Sequence, residues 1–199
     1  MRYLKKINNS PIITNNLNYA NVGQRNAIRR ELTNEQKGFC AYSERFIKHT
    51  DSIDIEHFDP RKKNTLDDDY YNWYATLHYL NSHKPNIIDP YLPILSPYSP
   101  DLAVRVTYED GLFKEVNPDD IEAKNLINFL GVNKFEVHSD RSKHITRINT
   151  LKNLCGGDDQ LFVEKMIEDR DNLSFATALE HKFDLDIDSL ILQSQGLQF

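Results

Sequence analysis

The chain predicts an α+β fold in which a small ββα hairpin is embedded in a largely helical domain, and three observations carry that reading. Ser52-Ile53-Asp54-Ile55-Glu56-His57-Phe58 alternates polar and apolar residues, the period of a half-buried strand, and Pro60 closes it. Leu102 to Val116 alternates Val104, Val106 and Tyr108 around Asp110-Gly111, a hairpin signal. Gln24 to Lys37, and three stretches beyond Pro118, carry the period of amphipathic helices.

Taken in order, Gln24 to Lys37 is bounded by Gly23 and Gly38 and is expected to pack against the first hairpin. In the strand that follows, Ile53, Ile55 and His57 share one face. Strict alternation sends Glu56 and His57 to opposite faces, so both serve one site only if the strand ends or bends there, which Pro60 favours. Asp69 to Ser82 is aromatic-rich, with Tyr70, Trp73, Leu77 and Leu80 near helical spacing, and predicts a helix reaching Asn81. Strand, loop and helix would then bring His57 and Asn81 together.

Pro85, Pro90, Pro93, Pro97 and Pro100 punctuate an ordered connector. Three helices are expected over Asp119 to Leu130, Lys134 to Leu154 and Asp158 to His181, the first capped by Pro118-Asp119. His138, Arg141 and His144 fall at helical spacing and read as a surface charge stripe. Ile187 to Phe199 contains Leu190, Ile191, Leu192, Leu197 and Phe199, apolar enough to dock on a partner or to pack on the chain's own core. The expected organisation is residues 1–100, an N-terminal helix with a motif region at 38–88, and residues 101–199, the second hairpin and helices packed as one unit.

At 199 residues the chain is long enough to bury a substantial core. No run of about eighteen apolar residues exists for a membrane span, and Met1 to Asn18 lacks the apolar stretch of a signal sequence. Cys40 and Cys155 are too few for a disulfide framework, which with the rest implies a cytoplasmic protein with no membrane partner. Net charge is −6, but residues 1–63 hold 12 Lys and Arg against 7 Asp and Glu, a net of +5, and residues 64–199 hold 12 against 23, a net of −11. The basic N-terminal third, including Arg25, Arg29, Arg45, Arg61, Lys62 and Lys63, suits phosphates, whereas Asp67-Asp68-Asp69 opposes them unless it faces away.

Chemistry concentrates between Asp54 and Lys84. Phosphodiester hydrolysis needs a base to take a proton from water and a divalent cation to neutralise charge on the phosphate. His57 is the natural base because imidazole titrates near neutrality. Glu56 offers a carboxylate oxygen and Asn81 an amide oxygen, donors that suit Mg²⁺ or Mn²⁺, with His83 as the rival to Asn81.

Asp54, Glu56 and His57, Asn72 fifteen residues after His57, and Asn81-Ser82-His83-Lys84 together resemble the HNH signature of the ββα-metal endonucleases. The resemblance implies Glu56 and Asn81 as metal ligands, His57 as the base, and Asn72 orienting the loop or the base, with Asp54, His83 and Lys84 as additional candidates. Phe39-Cys40-Ala41-Tyr42-Ser43-Glu44-Arg45 looks like the opening of a subgroup found as the nuclease partner of ATPases in Septu-type and retron anti-phage systems. Ile88-Asp89-Pro90 and the Ala123 to Arg147 region are similar to it as well. The implied function is a metal-dependent endonuclease acting on DNA, with RNA as the alternative substrate and an ATPase subunit as partner. Arg45, Arg61, Lys62 and Lys63 would touch nucleic acid. The subgroup's structural zinc is not expected: at its four cysteine positions the chain has Cys40, Ser43, Leu77 and Leu80, which leaves core packing to hold the hairpin. The alternative is a catalytically silent HNH-like module that binds a partner protein.

Overall fold

A computed structural model describes residues 1–195 of the chain. The fold is α+β, with helices around two separate two-stranded antiparallel sheets. Among the described residues no helix is long and apolar enough to cross a membrane.

The first helix, α1 (Pro11–Thr14), starts where Ser10 Oγ accepts the Ile12 amide at 3.1 Å. Helix α2 (Arg25–Glu35) falls within the expected Gln24 to Lys37 stretch and buries Ile28 and Leu32. Strands β1 (Ile53–His57) and β2 (Trp73–Leu77) pair so that Asp54 opposes Thr76, Glu56 opposes Tyr74 and His57 opposes Trp73. Helix α3 (His78–His83) follows β2 without a break, which completes a ββα unit. One face of this sheet meets α1 and α2 through Ile12, Ile28, Leu32, Ile55, Trp73 and Ala75.

The helix expected over Asp69 to Ser82 is replaced by three pieces. Asp69 caps a single 3₁₀ turn, Tyr70–Asn72, and only His78–His83 is α-helical. Between them, all five residues of β2 are buried. A strand covered on both faces shows no alternation, so its aromatic run imitates the spacing of a buried helix.

The connector from Pro85 to Pro100 holds one 3₁₀ turn, Asp89–Tyr91, and is pinned by buried Ile88 and Leu95. After α4 (Leu102–Arg105), strands β3 (Val106–Glu109) and β4 (Leu112–Glu115) form the expected hairpin. Asp110 and Gly111 both take positive φ, 51° and 83°, as a tight two-residue turn requires. Helix α5 (Ile121–Leu130) is capped by Asp120, not Asp119: Asp120 Oδ1 accepts the Ala123 amide at 3.0 Å. Helix α6 is Phe135–Leu154.

The single helix expected over Asp158 to His181 is broken. It becomes α7 (Asp159–Glu168), a 3₁₀ turn at Arg170–Leu173, and α8 (Ala176–Phe183), entered through Phe175 in the left-handed region at φ 59°. Helix α9 (Ile187–Gln195) packs Ile187, Leu190 and Ile191 into the chain's own core, while Leu192 is exposed. Leu197 and Phe199 lie outside the described residues.

The charge stripe at Arg141 and His144 is not on the surface. Arg141 is 2% exposed; it donates to the carbonyls of Val132 (3.2 Å) and Gly111 (3.0 Å) and lies over the rings of Tyr108 and Phe113. His144 is also buried, with Nε2 3.2 Å from the Asn172 carbonyl. Backbone carbonyls left free at turns accept these groups, which lets a charged helix face turn inward.

Residue 100 is not a packing boundary. One cluster joins Leu4, Tyr42 and Tyr74 to Leu126 and Phe129, and another joins Tyr3 and Phe39 to Phe162, Leu179 and Ile191. Cys40, Leu77 and Leu80 are packed in the first of these, where Cys40 Sγ accepts the Leu77 amide at 3.4 Å.

Candidate active site

Strand β1 has one neighbour in its sheet, so its outer edge is free, and α3 turns back beside it. That turn brings Asn81 to Asp54: Asn81 Nδ2 and His78 Nδ1 both lie 2.8 Å from Asp54 Oδ2. The pairing is half-buried at Asp54 and open at His78, with side chains 29% and 63% exposed. A cleft of about 220 Å³ adjoins it, lined by Asp54 and Asn81 together with Tyr19, Arg25, Arg29 and Lys63. Arg25 stacks on Tyr19, 4.2 Å from the ring centroid, and donates from Nε to the Tyr19 carbonyl at 2.9 Å.

His57 ends β1 and is 5% exposed, its ring meeting the edge of Tyr19 at 4.4 Å between centroids. Its Nε2 lies 3.2 Å from Asp68 Oδ2 without a well-directed hydrogen bond. Burial pulls its pKa from 6.5 down to about 4; Asp68 opposes that shift, and Lys63 reinforces it. His57 is therefore neutral at pH 7, the form that can accept a proton.

Asn72 builds the loop that carries Asp68. Its Oδ1 accepts the Asp59 amide at 2.8 Å, and its Nδ2 donates to the Asp59 carbonyl at 3.1 Å and to Asp68 Oδ1 at 3.3 Å. Asp68 Oδ1 also accepts from Trp73 Nε1 at 2.6 Å, and Asp68 Oδ2 from the Asn64 amide at 3.1 Å. Asn72 thus orients both the loop and the carboxylate that faces His57.

Glu56 does not join Asn81. It is 1% exposed; its Oε1 forms an ion pair with Lys84 Nζ at 2.9 Å, and its Oε2 accepts from the Tyr42 hydroxyl. Lys84 Nζ also donates to the Phe58 carbonyl at 3.2 Å and stands over the Phe129 ring. Burial raises the Glu56 pKa, with Lys84 and Tyr42 working against the rise. Alternation along β1 is the reason: His57 faces the α2 side and Glu56 the opposite side, where Tyr42, Tyr74 and Phe129 enclose it. The expected metal ligand is thus a member of a core ion pair, and Lys84 is its partner.

The remaining candidates divide. His83 is exposed, stacks on Tyr79 and bonds the Tyr79 carbonyl through Nδ1 at 2.7 Å, so it does not share the Asp54–Asn81 pairing. Arg61 is committed to Asp59 and Asp89, with contacts of 2.8–3.0 Å, and Arg45 to Asp51 at 2.9 Å. Lys62 and Lys63 are exposed, and Lys63 reaches the cleft.

Four participants escape a reading of the sequence: Tyr19, Tyr42, Asp68 and His78. Asp68 belongs to the acidic run set against nucleic acid, yet its side chain is 5% exposed and turned to His57. His78 carries no local signal: its position at the end of β2 brings it to Asp54.

Among the described residues no three His, Cys, Asp or Glu side chains converge as a metal cluster. At the β1 edge Asp54 Oδ2 is met by two nitrogens, Asn81 Nδ2 and His78 Nδ1, so a hard cation that keeps several waters would be held by the Asp54 carboxylate and by Asn81 Oδ1 once the Asn81 amide turns over. Comparison with protein-family models, with curated proteins and with solved structures finds no match to this chain.

Proposed function

We propose that the chain is a metal-dependent HNH-type endonuclease that hydrolyses phosphodiester bonds in DNA. By its resemblance to the Septu and retron subgroup, it would act as the effector of an anti-phage system together with an ATPase subunit. The observation that carries the reading is the β1 edge, where Asp54 meets Asn81 of α3 beside a cleft lined by Arg25, Arg29, Lys63 and Tyr19, with His57 of the same strand behind the Tyr19 ring and outside the cleft lining.

Asp54 and Asn81 are the residues that would hold Mg²⁺ or Mn²⁺. When bound, such a cation supplies charge neutralisation at the phosphate and the leaving oxygen. Arg25, Arg29 and Lys63 bind the backbone on either side of the scissile bond. Neutral His57 accepts the proton of the attacking water, and Asp68 stabilises the imidazolium that results. Asn72 keeps Asp68 aimed at the ring, so it acts as a positioning residue.

Supercoiled plasmid and single-stranded RNA, each incubated with the protein in Mg²⁺, Mn²⁺ or chelator, test this directly. Metal-dependent cutting of DNA that is lost in both His57→Ala and Asp54→Asn supports it; metal-independent cutting, or cutting retained by His57→Ala, overturns it. The cover that Tyr19 lays over His57 favours a second reading, a non-cleaving HNH-like module that binds a protein partner. That reading gains if Tyr19→Ala, which uncovers His57, cuts neither substrate with or without the ATPase subunit.

A further inference from the structure

A larger cavity, of about 400 Å³, lies apart from the cleft, where the loop from Ser43 to Ser52, the β2–α3 junction and α6 converge. Leu77, Leu80, Val137 and Phe175 give it buried apolar walls. Its charged groups are unequally committed. Arg45 and Asp51 neutralise each other at 2.9 Å, whereas Asp140 forms no ion pair among the described residues and Glu136 meets only the Tyr79 hydroxyl. Glu136 and Asp140 are one helical turn apart on α6, so both carboxylates stand on the same side of the opening. The Arg45 side chain is 34% exposed and bonds Asp51 through Nη2, while its Nη1 has no acceptor among the described residues and remains for a ligand oxygen.

From this combination we propose that the cavity binds a small organic cation: an amine on an apolar, ring-sized body that also carries an oxygen acceptor. The volume is within the range of small-molecule sites, apolar walls supply burial, and two uncompensated carboxylates select a positive charge. His78 lines this cavity and also bonds Asp54, so an occupant touches the pairing at the β1 edge through one imidazole. The cavity therefore reads as an effector site, and binding there stands whether or not the chain cleaves nucleic acid.

Tyramine and its anionic counterpart 3-(4-hydroxyphenyl)propanoate serve as probes, titrated into the full chain by calorimetry while the His78 ring protons are followed by NMR. Saturable binding of tyramine alone is expected, with a shift of the His78 resonances and at least roughly tenfold weaker binding in Glu136→Gln/Asp140→Asn. Both substitutions are at exposed positions, so the fold is retained, and circular dichroism verifies it. Absence of saturable tyramine binding, equal binding of the anion, or binding unchanged in the double variant would overturn the proposal.

Discussion

The carboxylate of Glu56 and the ammonium of Lys84 lie 2.9 Å apart with their side chains 1% and 4% exposed, an ion pair inside the hydrophobic core. Removing one partner of such a pair leaves an uncompensated buried charge, at a cost of about 3–5 kcal/mol, whereas removing both relieves most of it. Lys84→Met is therefore expected to lower unfolding free energy by about that amount, and Glu56→Gln/Lys84→Met to recover more than half. Urea denaturation across the double-mutant cycle measures it; a single-variant loss below about 1 kcal/mol contradicts the pairing.

Asp54 and Glu56 separate the two candidate roles for a β1 carboxylate. Mn²⁺ is expected to raise the melting temperature, and Asp54→Asn should abolish that rise with little change in the metal-free melting temperature, because its side chain is 29% exposed. Glu56→Gln should do the reverse. A thermal scan with and without Mn²⁺ distinguishes them, and a metal response carried by Glu56 would require the core pair to open.

Asn72→Ala removes both side-chain bonds to the Asp59 backbone and the one to Asp68, leaving the buried Asp59 amide without its acceptor. The expected loss is about 2–3 kcal/mol. Limited proteolysis should find residues 59–68 cut faster than in the unmodified chain, and an unchanged cleavage pattern would argue that the loop is held by other contacts.

Acid should weaken the fold through two histidines. Burial lowers both His57 and His144 from an ordinary 6.5 to about 4, so between those values the unfolded chain binds more protons than the folded one. The stability they contribute is complete above pH 6.5 and is lost as pH falls towards 4, by up to about 3 kcal/mol per group. Chemical denaturation from pH 7 to pH 4 should steepen in this sense, and His144→Gln should flatten the slope.

The elements with one-sided patterns were legible. The alternation of Ile53, Ile55 and His57, the apolar face of α2, and the Asp110-Gly111 turn each predict their element from local sequence, and the α+β class follows from them. The elements buried on both sides were not: β2 imitates a helix, and α7 and α8 read as one because Phe175, the residue at the break, carries no helix-stopping signal. The same asymmetry governs the site. That Asn72 would orient the loop or the base is implied by the resemblance and that Asn81 would approach β1 by the expected order of elements, whereas the partners that His57 and Glu56 take cannot be read from either.

By itself the sequence determined which residues are polar or apolar, the strand at β1, helix α2, the Asp110-Gly111 turn, and the residue types present between Asp54 and Lys84. Tertiary structure decided which carboxylate faces which cation. Glu56 and Asp54 are two residues apart on one strand, yet one meets Lys84, which stands over the Phe129 ring, and the other meets Asn81 and His78 at an open edge. Charge pairing depends on distance and on exclusion of water, and both are set by chain segments remote in sequence, so no local pattern records them.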